Sequence, residues 1–280
     1  MPAMRVPMRR DLGAVFIYLV FVFLFSWTAW APLYFSNATV IAGSGFPTHI
    51  PGLLGPALAA FAAAAVVRDR RMQLADLLRR SVRLPVGYTG WLLALSPAIL
   101  ITIGAAIGRI VGQPVKFAGL LSYSGLPQLE IWPLFLIVFV ANGLGEEIGW
   151  RAYLQPRLQR IFGTASGVVV LTIVWASWHL PLFHFLAAYQ HMDMATKFFG
   201  FGLGLLCGAF VLAHVTAVSR GSALAAALWH TLYNLGTATQ LGSFMPIFLS
   251  VVVMIWGGTL ILMVAFRPSM RKLIQLPAPP

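Results

Sequence analysis

The chain has 280 residues, 59% of them hydrophobic and only 9% charged, where a soluble domain carries roughly a quarter charged. An ordinary water-soluble globular protein is excluded. The net charge of +12 could suit a nucleic-acid binder, but the basic residues fall in short runs between apolar stretches, which is a topology signal and makes the lipid bilayer the partner.

Arg5, Arg9 and Arg10 precede the first apolar run, 12–35. Ala29-Trp30-Ala31 mimics a signal cleavage site, yet the run exceeds the ~7–15 residues of a signal core and Pro32 would follow the cut. It is read as a retained first span. Further apolar stretches follow at 50–67, 88–111, 131–155, 164–187, 197–217, 221–241 and 244–266, each near the length of about 17–25 residues that crosses a bilayer. The segment Arg68–Arg83, with Arg79, Arg80 and Arg83 beside Leu74, Leu77 and Leu78, reads either as an amphipathic helix on anionic headgroups or as a positive-inside anchor and nothing more. Trp27, Trp30, Trp91 and Trp132 are expected as interface anchors, and the tail Leu276–Pro280 as disordered. The fold class is an all-α polytopic membrane protein of about eight transmembrane helices, one integral membrane domain over residues 1–280. In that arrangement sixteen of the Lys and Arg residues share one side, leaving Arg109, Lys116 and Lys197 on the other, so both termini are placed in the cytoplasm.

Five polar residues sit where hydrocarbon should reject them: Glu146 and Glu147 in the fourth stretch, His179 in the fifth, His230 and Asn234 in the seventh. Intramembrane ionisable groups are functional candidates. At 1.5 Å per helical residue, Glu146, His179 and His230 come to roughly 14–20 Å from the cytoplasmic surface. Glu147 lies four residues before Arg151, the favourable order for an ion pair on one helix face. Glu146, about 140° round the helix from Arg151, is the less neutralised acid and the candidate general base, with Glu147 structural. His179, four residues after Trp175 and two before the helix-distorting Pro181, could share a water with Glu146. His230 and Asn234 offer N–H donors from adjacent turns, suited to an oxyanion.

Taken singly, each of these residues is more commonly explained by a hydrogen bond to a neighbouring helix, an explanation that their matching depth weakens. His214 and His184 are read as packing residues, and His49 and His191 as loop residues. Glu146, His179 and His230 could also hold zinc, but no His-Glu-x-x-His pattern is present and Cys207 is the single cysteine, so no cofactor is expected.

Glu146-Glu147-x-x-x-Arg151, Trp175-x-x-x-His179 and His230-x-x-x-Asn234 resemble the three motifs of the type II CAAX prenyl protease and bacteriocin-processing (abortive-infection) family of intramembrane glutamic endopeptidases, over roughly 130–240. The resemblance, prokaryotic in its wording, implies a catalytic core in that stretch, a polar cavity open to the cytoplasm and the bacterial plasma membrane as the location. In it Glu146 and His179 activate water while His230 and Asn234 stabilise the oxyanion, and the substrate is a membrane-associated peptide or protein. Trp175 stands where the family usually has Phe. A non-catalytic scaffold or bacteriocin-immunity protein on the same fold is the alternative, as is a zinc-dependent form of the protease.

Overall fold

The computed structural model describes residues 6–67 and 70–279; Arg5 and Arg68, which entered the charge count, lie outside them. The described residues form helices joined by loops that meet only in isolated bridges. The helices are α1 (Val6–Phe35), α2 (Ile50–Leu53), α3 (Gly55–Val66), α4 (Arg70–Val82), α5 (Gly87–Ile110), α6 (Ile131–Phe162), α7 (Thr164–Trp178), α8 (Thr196–Val218), α9 (Ala223–Thr237) and α10 (Phe244–Phe266).

Each expected apolar stretch is helical, but the helices are not equally long. Among the described residues five are long and apolar enough to cross a membrane: α1 from Arg9 onward, α5, α6, α8 and α10. Helices α3, α7 and α9, with 12, 15 and 15 residues, fall short of the ~20 a full crossing needs. For α7 the cause is local, because Pro181 cannot continue the hydrogen-bond ladder and His179 is already the capping residue.

Gly163, with φ of +91°, is the whole connection between α6 and α7, and Gly167 lies against the Gln159 backbone, so the two helices fold back in close contact. Ser222 starts α9 by accepting a hydrogen bond from the Ala225 N–H at 3.0 Å.

Two expectations are corrected. Trp30 is not an interface anchor: it is fully buried against Trp178 and donates its indole N–H to the His49 carbonyl at 2.8 Å. The tail is held rather than disordered over its described part. Gln159 donates to the Ile274 carbonyl at 2.8 Å and accepts from the Leu276 N–H at 2.9 Å, Arg80 donates to the carbonyls of Pro277 and Ala278, and Arg160 to that of Pro279. Helix α4 joins the same face, burying Leu77 while leaving Leu78 exposed. At the opposite end, bridges Val40 to Leu186, Ala42 to Ser124 and Tyr123 to Thr239 tie the loops together.

Candidate active site

Helix α6 is continuous from Ile131 to Phe162 but not regular: Phe139–Leu144 and Ile148–Leu154 are π-helical, flanking the single α-turn Gly145–Glu147. Wide turns of this kind carry an extra residue and concentrate at functional sites. Three glycines let neighbouring backbones reach this stretch. A Cβ at Gly143 would stand 2.8 Å from the Ala227 carbonyl on α9, and one at Gly145 2.7 Å from the Leu53 carbonyl. At Gly149 it would stand 2.6 Å from Pro56. The two carboxylates are thereby sunk among α3, α7 and α9, Glu146 nearly and Glu147 fully buried.

Their partners differ as the i, i+4 argument requires. Glu147 Oε2 takes the Arg151 Nε–H at 2.9 Å, both side chains fully buried, and Glu147 Oε1 takes the His230 Nδ1–H at 2.8 Å. Glu146 meets neutral donors instead, with Asn142 Nδ2 on Oε1 at 2.5 Å and the Trp175 indole N–H on Oε2 at 2.9 Å. A buried carboxylate with hydrogen bonds on both oxygens is oriented without being charge-neutralised.

His179 completes the group. Because α7 stops at Trp178, the Trp175 carbonyl is within reach and accepts the His179 Nδ1–H at 2.7 Å, which fixes the tautomer and leaves Nε2 as the open nitrogen. Trp175 therefore touches both halves of the proposed water-binding pair, through its indole and through its carbonyl. Its ring also lies under the Arg151 guanidinium, at 5.0 Å, and beside His230, at 5.8 Å between centroids. The structure thus brings Glu146, Glu147, Arg151, Trp175, His179 and His230 to one place. Asn234 joins them through Asn142, whose Oδ1 accepts the Asn234 amide, so one of that amide's two hydrogens is already engaged. Among the described residues no three of His, Cys, Asp and Glu gather in a metal-holding group, the Glu146, His179 and His230 set included.

Asn142 is the partner that motif reasoning missed. It stands four residues before Glu146 in an apolar run, so the rule that singled out the glutamates could have found it too. His184 and His214 are packing residues as expected, paired with Asn37 Oδ1 at 3.0 Å and the Leu273 carbonyl at 2.8 Å.

Residues 128–236 match the family model described as Type II CAAX prenyl endopeptidase Rce1-like. The chain carries an Rce1-like domain. That match holds Asn142 and every motif residue above, and the arginine-rich α4 and the tail fall outside it. Beyond the domain, the chain is 23% identical over 234 residues to a protein named CAAX prenyl protease 2 from Methanococcus maripaludis, covering 78% of this chain and 82% of that one. The match and the five long apolar helices among the described residues support an integral, multi-pass membrane protein.

Proposed function

We propose that the chain is a glutamic intramembrane endopeptidase that cuts a peptide bond in a membrane-associated peptide or protein. The observation that carries this reading is the contrast between the two adjacent carboxylates. Glu147 is consumed by Arg151 and His230, while Glu146 is oriented by two neutral donors and keeps its negative charge for chemistry. Glu146 removes a proton from water, and His179 Nε2 accepts that water's other hydrogen in a hydrogen bond. The resulting hydroxide attacks the scissile carbonyl. The oxyanion takes the second amide hydrogen of Asn234 and the Nε2–H of a His230 imidazolium whose charge Glu147 balances. The proton on Glu146 then passes to the leaving amine as the C–N bond breaks.

The direct test is hydrolysis of a candidate peptide by purified protein, lost in Glu146→Gln. Hydrolysis in neither protein would favour the scaffold or immunity reading. Under the glutamic mechanism, activity survives exhaustive chelation and the purified protein carries no stoichiometric zinc; loss with chelator and recovery with added zinc would move the assignment to a Glu146, His179 and His230 metal site.

Trp175→Phe supplies a second check, since it keeps an aromatic ring beside Arg151 and His230 while removing the N–H on Glu146 together with the indole's second ring. A hydrogen bond to a charged group contributes about 1.5–3 kcal/mol, so kcat should fall ~10- to 100-fold with KM nearly unchanged. An unaltered kcat would show that the indole contact is only packing.

A further inference from the structure

We propose that Tyr123, on the loop between α5 and α6, is a further positioning residue of this site: its hydroxyl fixes which end of the Asn142 carboxamide faces Glu146 and, through it, which end of Asn234 is offered to substrate. The word substrate rests on the protease reading; the contacts do not. Tyr123 stands just before the stretch matched by the family model, which begins at residue 128, and none of the three motifs contains it. It is nevertheless buried, and a hydroxyl taken out of water costs free energy unless it is hydrogen-bonded.

The loop is held firmly. The Tyr123 carbonyl accepts the N–H of Gly43 at 3.1 Å and that of Leu126 at 3.2 Å, while the Ser124 N–H donates to the Ala238 carbonyl, just past the end of α9, at 3.2 Å. Its ring belongs to one buried cluster with Leu126, with Leu134 and Val138 of α6 and with Leu235 of α9. It therefore lies between the two helices that carry Asn142 and Asn234. The hydroxyl donates to Asn142 Oδ1 at 3.4 Å, the same atom that accepts the Asn234 amide, and the Asn234 side chain is a further polar neighbour of the phenol.

The two ends of a carboxamide are nearly equal in size and opposite in sign. Turned one way, Asn142 gives Glu146 an N–H; turned the other, it sets a carbonyl oxygen against a carboxylate oxygen. Asn234 does not decide between them, because an amide both donates and accepts, and the pair would stay bonded if both turned over. Glu146 decides only while it is charged. Once it has taken the proton from water it can donate as well as accept, and its preference for an N–H is lost. Tyr123 supplies the preference that lasts, because a phenol, its lone pair drawn into the ring, donates better than it accepts and so favours the oxygen end of Asn142. Burial pushes the Tyr123 pKa up, and the nearby Glu146 charge adds to this, so the proton stays on the phenol. With Asn142 Oδ1 kept as an acceptor, Asn234 must present its NH₂, and the hydrogen assigned to the oxyanion is oriented before the tetrahedral intermediate forms.

Tyr123→Phe tests this, since it keeps the ring and removes only the hydroxyl. The bond is long and joins neutral groups, so kcat should fall about 3- to 10-fold with KM nearly unchanged. In an Asn142→Leu background, where there is no carboxamide to hold, the same change should cost nothing further. An equal loss in both backgrounds is what a merely structural hydroxyl would give and would overturn the proposal, as would an unaltered kcat in Tyr123→Phe. A second measurement needs no turnover. Full-length protein labelled with 3-fluorotyrosine gives fluorine resonances from seven tyrosines, and the one missing from Tyr123→Phe is that of Tyr123. It should move in Asn142→Leu or, if that variant does not accumulate, in Asn142→Ala. A resonance that stays in place in a folded Asn142 variant overturns the contact whether or not the wild type cuts peptide. Wild-type protein that cuts nothing while the resonance moves would sink the protease reading and keep the Tyr123 contact.

Discussion

Glu146→Gln is expected to fold, to unfold at close to the wild-type temperature in detergent, and to lose at least ~10²–10⁴-fold in kcat, the usual contribution of a positioned general base. Glutamine keeps the side chain's length and can still accept from Asn142 or from Trp175, so the surroundings change little. What disappears is the negative charge that takes a proton from water. Turnover in this variant within a few-fold of wild type would remove Glu146 from the mechanism.

Glu147→Gln should behave in the opposite way, losing stability first. It leaves the Arg151 guanidinium fully buried without a countercharge, with one amide oxygen to accept from Arg151 or from His230 where the carboxylate served both, and breaking a buried ion pair from one side costs about 3–5 kcal/mol. The unfolding temperature of Glu147→Gln should therefore fall clearly below that of Glu146→Gln. Replacing Arg151 by methionine in the same chain should restore much of the stability, because the stranded charge is gone, but not the activity, because His230 still lacks its carboxylate. Equal unfolding temperatures for the two glutamine variants would erase the distinction between the carboxylates.

Much of this site could be read from residue types and spacing alone. Glu147 and Arg151 pair because i, i+4 geometry places them on one face, and Pro181 ends its helix for the backbone reason that proline always carries. Where α7 and α9 stop was harder to see, since their apolar runs continue into Leu186 and Leu241, residues buried under loops rather than facing lipid. The tail was misread because it has no strong signal of its own: backbone carbonyls bind it to Arg80, Arg160 and Gln159, and carbonyls look alike in every sequence. Asn142 escaped because a lone amide in an apolar run resembles many helix-packing residues until its partner is known.

The two wide turns that flank Gly145–Glu147 also bear on how this helix can change over generations. Each holds one residue more than an ordinary turn, so deleting a residue from Phe139–Leu144 would let that turn close to regular pitch while the helix on either side keeps its facing. A residue lost from the regular stretch Ile131–Val138 has no such slack, and would turn that stretch by about 100° against Glu146. A substitution in α6 alters one contact, whereas a one-codon loss outside the wide turns would swing one part of the helix away from its neighbours while leaving hydropathy and helix content nearly untouched. The wide turns are thus where α6 can lose a residue with least disturbance, and relatives that differ in length between Ile131 and Gly163 should differ there.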